Sequence, residues 1–225
     1  MRNEEWAKEW VNIMGESKID TYFKIGYHVD RYYELEEDFL TVLKYMPLEI
    51  YNTSEAREKA TSTYLADLLI RIGSNIDIVF RKMIMKKYKD IYDNKLQKIN
   101  AKRIEKGKTP LSEVDLKFDD YKELDVFCQL SDYKVTVIQT GEKELQPFKE
   151  WKNGTTPIWW SSYNQVKHHA TLEKANLDNV IQALAALLLL ICMNKHPIKM
   201  LNYGYLCINP QYKRKILQGS MPILL

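Results

Sequence analysis

The eleven residues from Ala183 to Met193 carry no charge and no strongly polar side chain. A helix that is apolar all round has to be enclosed on every side, whereas a helix crossing a bilayer needs about 20 such residues. The run is too short to span a membrane, so it predicts the central helix of a bundle. Asn176 or Asp178 can cap its start, and Lys195-His196-Pro197 closes it after Asn194 with cations at its negative end. Leu177, Val180, Ile181, Leu184, Leu187, Leu188 and Ile191 are the expected core of this helix.

A central apolar helix needs amphipathic neighbours, and the sequence supplies them. Leu65, Leu69, Ile72, Ile76, Val79 and Met83 form a stripe at helical spacing, with Asn52 as an expected cap and Glu55 and Glu58 suiting the positive end. Gly73 interrupts that stripe, and a close helix crossing would favour a residue without a side chain there. His28 to Tyr45 predicts a second helix, with Tyr32, Leu35, Phe39, Val42 and Leu43 on one face and Pro47 closing it. Shorter helices are expected over Trp6–Met14, Asp119–Leu130 and Tyr212–Leu217, and Leu201 to Ile208 is apolar and aromatic. Helical propensity runs from 53 to about 103, which as one rod would be roughly 75 Å long at 1.5 Å per residue. A bend near Asp90–Asn94 or a projecting arm is therefore expected, followed by a loop at Glu105-Lys-Gly-Lys-Thr-Pro110. Lys134 to Thr140 reads as a strand, with Glu144 to Trp151 as its returning partner. The expected fold is mainly α, an antiparallel helical bundle with a small β-hairpin insertion, formed by residues 1–225 as a single domain.

The overall net charge of +3 hides an asymmetry. Eleven Lys or Arg lie between Arg81 and Lys108 against Asp90, Asp93 and Glu105, so this segment holds a local excess of eight and the remainder is acidic. Such a segment can meet phosphates or serve as a solvated helix face. Cys128, Cys192 and Cys207 are scattered and odd in number, which fits a reducing, cytoplasmic setting better than a disulfide framework or a thiolate zinc site. The charged N-terminus, Met1-Arg-Asn-Glu-Glu-Trp6, lacks the apolar stretch of a signal peptide.

Residues with potential chemistry gather between 156 and 173. Thr156-Pro157 predicts a helix start, and the helix is expected to run from Ile158 to about Glu173. At 100° per residue, Trp159, Tyr163, Val166 and Ala170 share an apolar stripe, while Ser161, Asn164, His168 and Thr171 fall on the polar side and His169 at its border. Asn164 and His168 are four apart, close enough for their side chains to meet. His168 and His169 point about 100° apart and no HExxH accompanies them, so no metal is expected. Ser161 and Ser162 lie in no nucleophile-elbow context. No cofactor motif is present.

The segment Trp159-Trp-Ser-Ser-Tyr-Asn-Gln-Val-Lys-His-His169, followed by the small-residue-rich Asn179-Val-Ile-Gln-Ala-Leu-Ala-Ala-Leu-Leu-Leu-Leu190, resembles the C-terminal half of HEPN-like proteins. These are helical bundles of bacterial toxin, abortive-infection and other defence systems. Leu68-Leu-Ile-Arg-Ile-Gly-Ser-Asn-Ile-Asp77 is similar to an early core helix of the family, and the likeness covers about a third of the chain. The family motif is an Arg, usually followed by a polar residue, and a His a few positions later. In active members it supports metal-independent RNA cleavage, often across a homodimer interface. The resemblance implies His168 as general acid or base, with Asn164 at the polar position. Tyr163 stands where the arginine would be, and a phenol offers one neutral donor in place of a charged fork. Lys167, or Arg71 from the earlier helix, would then supply the charge, and Tyr163, His169 and Arg71 would contact substrate. RNA and a protein partner, an antitoxin or another defence component, are the implied partners. A catalytically inactive interaction or regulatory protein on the same scaffold is the alternative reading. A third is a nucleotide- or small-molecule-binding bundle with Trp159, Trp160 and Tyr163 lining a pocket.

Overall fold

The computed structural model describes residues 16–137, 144–193 and 206–208, with side chains described for 28–137 and 144–192. The helices expected over Trp6–Met14 and Tyr212–Leu217, and the ends of the expected strand and central helix at 138–140 and 194, lie outside the described residues.

Among the described residues, eight α-helices carry most of the fold. They are α1 (Glu16–Leu43), α2 (Ser54–Lys59), α3 (Thr63–Lys87), α4 (Lys89–Glu105), α5 (Phe118–Tyr121), α6 (Asp125–Cys128), α7 (Ile158–His169) and α8 (Leu177–Met193). The charge-free run is the centre of the bundle: α8 packs against α1, α2, α3 and α7, and every side chain from Ala183 to Cys192 is buried. Asn176 caps it, its Oδ1 accepting from the Asn179 backbone N–H at 2.9 Å. The expected stripe on α3 is buried in full, joined by Leu68, Phe80 and Ile84 because α3 faces α1, α7 and α8 at once. On α1, Tyr32, Leu35, Phe39, Val42 and Leu43 are buried as their spacing predicts.

The expected helix from 53 is broken twice. Thr53, not Asn52, caps α2, its Oγ1 accepting from Ala56 N–H. The chain then leaves the helix at Ala60, whose carbonyl accepts from Leu177 N–H at 2.9 Å, and Thr61 forms a β-bridge with Asn176. Ser62 restarts it, capping α3 through Leu65 N–H. Arg57 secures this corner: buried, it donates to Asp178 at 2.6 Å and to the carbonyls of Tyr51 and Asn52. The second break falls at Tyr88, just before the expected Asp90–Asn94 region. Tyr88 is buried, its hydroxyl 3.3 Å from Cys128 Sγ and its ring 5.1 Å from that of Phe127.

Beyond Tyr88, α4 is the arm anticipated from length alone. Ile91 is its one buried side chain. A loop turns at Gly107, whose φ of 66° favours glycine, and the chain returns along the helix. Asn100 brackets Leu111 by donating to its carbonyl and accepting from its N–H, and Tyr92 Oη accepts from Val114 N–H.

The β element is a three-stranded antiparallel sheet in the order β2 (Glu144–Leu145), β1 (Val135–Val137), β3 (Leu206–Ile208). Glu144 to Trp151 does return beside the first strand as expected, but only its first two residues pair; Lys149–Asn153 is a 3-10 turn. Val135, Val137 and Leu145 are buried, so the sheet is held by packing against the helical body.

Candidate functional site

Helix α7 begins at Ile158 with Pro157 at the cap position. It ends at His169, four residues short of the expected Glu173, because Ala170 adopts a left-handed conformation with φ 52°. Ala170 is therefore exposed instead of completing the apolar stripe. Trp159, Tyr163 and Val166 are buried as predicted, and Trp160 and Ser162 join them. Two neighbours account for the wider face. Trp160 stacks on Phe118 at 4.1 Å within an aromatic cluster, and Ser162 Oγ accepts from Asn179 Nδ2 of α8 at 3.0 Å.

Tyr163, at the position of the family's arginine, is a packing residue. It is only 2% exposed, and its ring lies directly over Gly73 of α3, where an added Cβ would overlap the ring carbons. This is the close crossing anticipated from Gly73. The phenol oxygen accepts from Lys167 Nζ at 3.2 Å and lies 3.4 Å from Ser74 Oγ. The Lys167 ammonium also sits 5.4 Å from the ring centre. Thus Tyr163 and Lys167 are brought together.

The other sequence-derived residues are not gathered around them. His168 and His169 are exposed at the end of α7, their rings 6.4 Å apart. Asn164 is half-buried and makes no side-chain hydrogen bond among the described residues. Arg71 lies two residues before Gly73, about 200° around α3, so it turns towards α1. There it donates to Asp38 at 2.7 Å and to Asp67 at 2.8 Å. Burial disfavours its charge, but the two carboxylates outweigh that and hold its pKa above the ordinary value. Among the described residues no group of three or more His, Cys, Asp or Glu is placed to hold a metal. Burial raises the pKa of the Cys128 thiol and pushes that of Cys192 up to about 12, which makes both poor nucleophiles.

The basic segment separates into engaged and unengaged cations. Arg81 meets Asp77, Lys82 lies 3.0 Å from His28 Nε2, Lys87 sits over the Tyr88 ring, Lys89 meets Asp93, Lys95 meets Asp120, and Arg103 donates to the Thr109 carbonyl. The other five, Lys86, Lys98, Lys102, Lys106 and Lys108, make no ion pair among the described residues. Lys98, Lys102 and Lys106 follow one another at four-residue steps, roughly 6 Å of rise each. They form an exposed ridge along the outer half of the arm, with Glu105 the one acid between Lys95 and Lys108.

A second feature lies beside α7 where Trp159 and Ser162 meet α8 and the turn at 146–150. It is a polar cavity of about 330 Å³. Asn176, which caps α8, and Asn179 and Gln182 of α8 line it. The sequence signal was available: three polar residues at three-residue steps, on one side of a helix otherwise given over to core. Of the three aromatic residues expected to line a pocket, Trp159 does so, with its indole N–H donated to the Pro147 carbonyl at 2.7 Å. Trp160 and Tyr163 face the aromatic cluster and Gly73.

Compared with protein-family models, curated proteins and solved structures, the chain matches none of them.

Proposed function

We propose that the protein binds RNA through the lysine ridge of α4 and does not cleave it through α7. The observation that carries this reading is the ridge itself: Lys98, Lys102 and Lys106 are exposed, regularly spaced and without an ion pair among the described residues, on an arm with one fully buried side chain. Packing needs do not explain such a helix, whereas a polyanion held by charge does. Binding without cleavage is supported by the site around Tyr163. A buried phenol wedged on Gly73 cannot present a charged fork to a scissile phosphate, Arg71 is committed to Asp38 and Asp67, and His168 stands apart on the surface. A HEPN-like scaffold that retained its helices and lost its cleaving pair is the evolutionary form of this proposal.

The test is a gel assay with labelled single-stranded RNA, run for binding and for product. The wild-type chain and His168→Ala are expected to shift the RNA equally and to leave it intact. Cleavage by the wild-type chain that disappears in His168→Ala would replace this reading with that of a ribonuclease.

A second reading, a regulatory protein that docks on another protein, has its own observation. Val126 and Phe127 of α6 are 81% and 51% exposed, and the Phe127 ring lies 5.1 Å from that of Tyr88, three residues after the exposed Met85. A folded chain that ignores RNA but co-purifies with one protein, and loses it in Phe127→Ser, would favour this reading.

A further inference from the structure

The lysine ridge is the outer half of a longer line. Tyr88, Ile91, Lys95, Lys98, Lys102 and Lys106 follow one another at steps of three or four, so all six share one face of the arm. The inner three rest on the segment from α5 to α6. The Tyr88 hydroxyl lies 3.3 Å from Cys128 Sγ, Ile91 is buried, and Lys95 pairs with Asp120 at 2.6 Å. Helix α6 therefore stands at the foot of the ridge and on the ridge's own side. Its exposed Val126 and Phe127 end the line that the lysines begin. From Tyr88 to Lys106 is about 27 Å at 1.5 Å per residue.

The Phe127 ring rests against that of Tyr88, with 5.1 Å between centres and 32° between planes, and the residue is 51% exposed. The Lys87 ammonium sits 5.5 Å from the centre of the Tyr88 ring. Most acids of the neighbouring segment are engaged: Asp119, Asp120 and Asp132 each pair with a lysine, and Asp125 accepts from the Ser131 N–H. Asp90 lies about 200° around α4 from Tyr88. Glu123, exposed one helical turn before Phe127, is the carboxylate left beside the ring. A carboxylate repels a phosphate but accepts from the amino group of a base. The ring is thus a place for a base, with the backbone kept to the lysines. A protein fits it less well, because a specific interface covers about 800 Å² on each partner. The exposed large apolar side chains here are Met85, Val126 and Phe127 alone, whereas a base needs one ring to stack on. We infer that the protein takes single-stranded RNA, with an unpaired base stacked on Phe127 while the phosphates follow Lys98, Lys102 and Lys106. The inference rests on the RNA reading above and names the form of RNA, since a duplex keeps its bases stacked on one another and offers none to Phe127.

The test uses the full-length chain and a short oligouridine carrying one 2-aminopurine, a fluorescent base that dims when it stacks. The wild type should quench this probe as it binds. Phe127→Leu keeps apolar bulk against Tyr88 and removes the aromatic face. It should bind the single strand at least about fivefold more weakly, the lower end of a base–aromatic stack, with the quenching lost and the salt slope unchanged. Phe127→Tyr returns the ring and should rescue both affinity and quenching. The duplex of the same strand with its complement should show no loss in Phe127→Leu. The inference is overturned if Phe127→Leu binds and quenches as the wild type does, or if it weakens duplex and single strand alike. In either case a shallower salt slope in Lys98→Gln/Lys102→Gln/Lys106→Gln would keep the RNA reading, so the two failures are told apart. A wild-type chain that binds no RNA at low salt removes both and leaves Phe127 to a protein partner.

Discussion

Replacing Tyr163 with Arg restores the residue type found in the cleaving motif, and the structure predicts that it damages the fold without creating the activity. A buried aromatic side chain removes about 200 Å² from water, which at about 25 cal/mol per Å² is about 5 kcal/mol as an upper bound. Arg can recover part of this through its aliphatic stem. Its guanidinium would then lie near Ser74 Oγ and the Lys167 ammonium, which offer one hydroxyl and a like charge instead of a carboxylate. The expected net loss is about 3–5 kcal/mol, comparable to large core truncations. For a chain of this size that lowers Tm by about 6–20 °C. Tyr163→Phe keeps the ring on Gly73 and loses only the hydroxyl contacts, for about 0.5–1.5 kcal/mol. Urea titration followed by tryptophan fluorescence reads both losses, and a fluorogenic RNA substrate reads any cleavage. A Tyr163→Arg chain within about 1 kcal/mol of wild type that also cuts RNA would show that the ring is not a packing element, and the non-cleaving reading would fail with it.

Other consequences follow from the same contacts. Gly73→Ala drives a methyl group into the Tyr163 ring and should cost about 1–3 kcal/mol; Gly73→Ala in a Tyr163→Leu background should cost less, and an additive double-mutant cycle would contradict the crossing. Arg57→Ala leaves Asp178 without its 2.6 Å partner at the α2–α8 corner and should cost about 3 kcal/mol in the same urea assay, while a loss below about 0.5 kcal/mol would place that pair with ordinary surface pairs. Partial burial and the nearby Lys82 charge lower the pKa of His28 from 6.5 to about 4. Between those values the unfolded chain binds the extra proton, so this group's contribution to stability is intact above pH 6.5 and is lost as pH falls through 4. Tm should therefore fall more steeply below pH 6.5 in the wild type than in His28→Phe, and parallel profiles would remove His28 from the account.

Much of the helical frame was legible because burial writes itself into spacing. The charge-free run of α8, the α3 stripe from Leu65 to Met83 and the glycine under a close crossing all follow from which side chains must avoid water. The break at Ala60 was not anticipated, and the one at Tyr88 falls just before the expected Asp90–Asn94 region, since each is set by a distant partner. Leu177 takes the Ala60 carbonyl, and Cys128 and Phe127 anchor Tyr88. A helical wheel of α7 found Trp159, Tyr163 and Val166 but missed Trp160 and Ser162, because a single stripe does not anticipate a helix gripped on two sides. The same wheel placed Asn164 and His168 on one polar face, and the resemblance added Lys167; the structure joins only Lys167 to Tyr163. The polar wall of the cavity was written in Asn176, Asn179 and Gln182, and its meaning emerged only when α7 was laid against it.

The lysine ridge is tested most directly by the salt dependence of RNA binding. Fluorescence anisotropy with a short single-stranded RNA would compare the wild type with Lys98→Gln/Lys102→Gln/Lys106→Gln across about 50–200 mM salt, where each phosphate contact on a single strand contributes about 0.7 to the slope of log K against log salt. The account predicts that the triple variant folds as the wild type does, binds more weakly, and has a slope shallower by about 2, as three lost contacts require. Equal affinity and equal slope in the two proteins, or no RNA binding by the wild type at low salt, would contradict it.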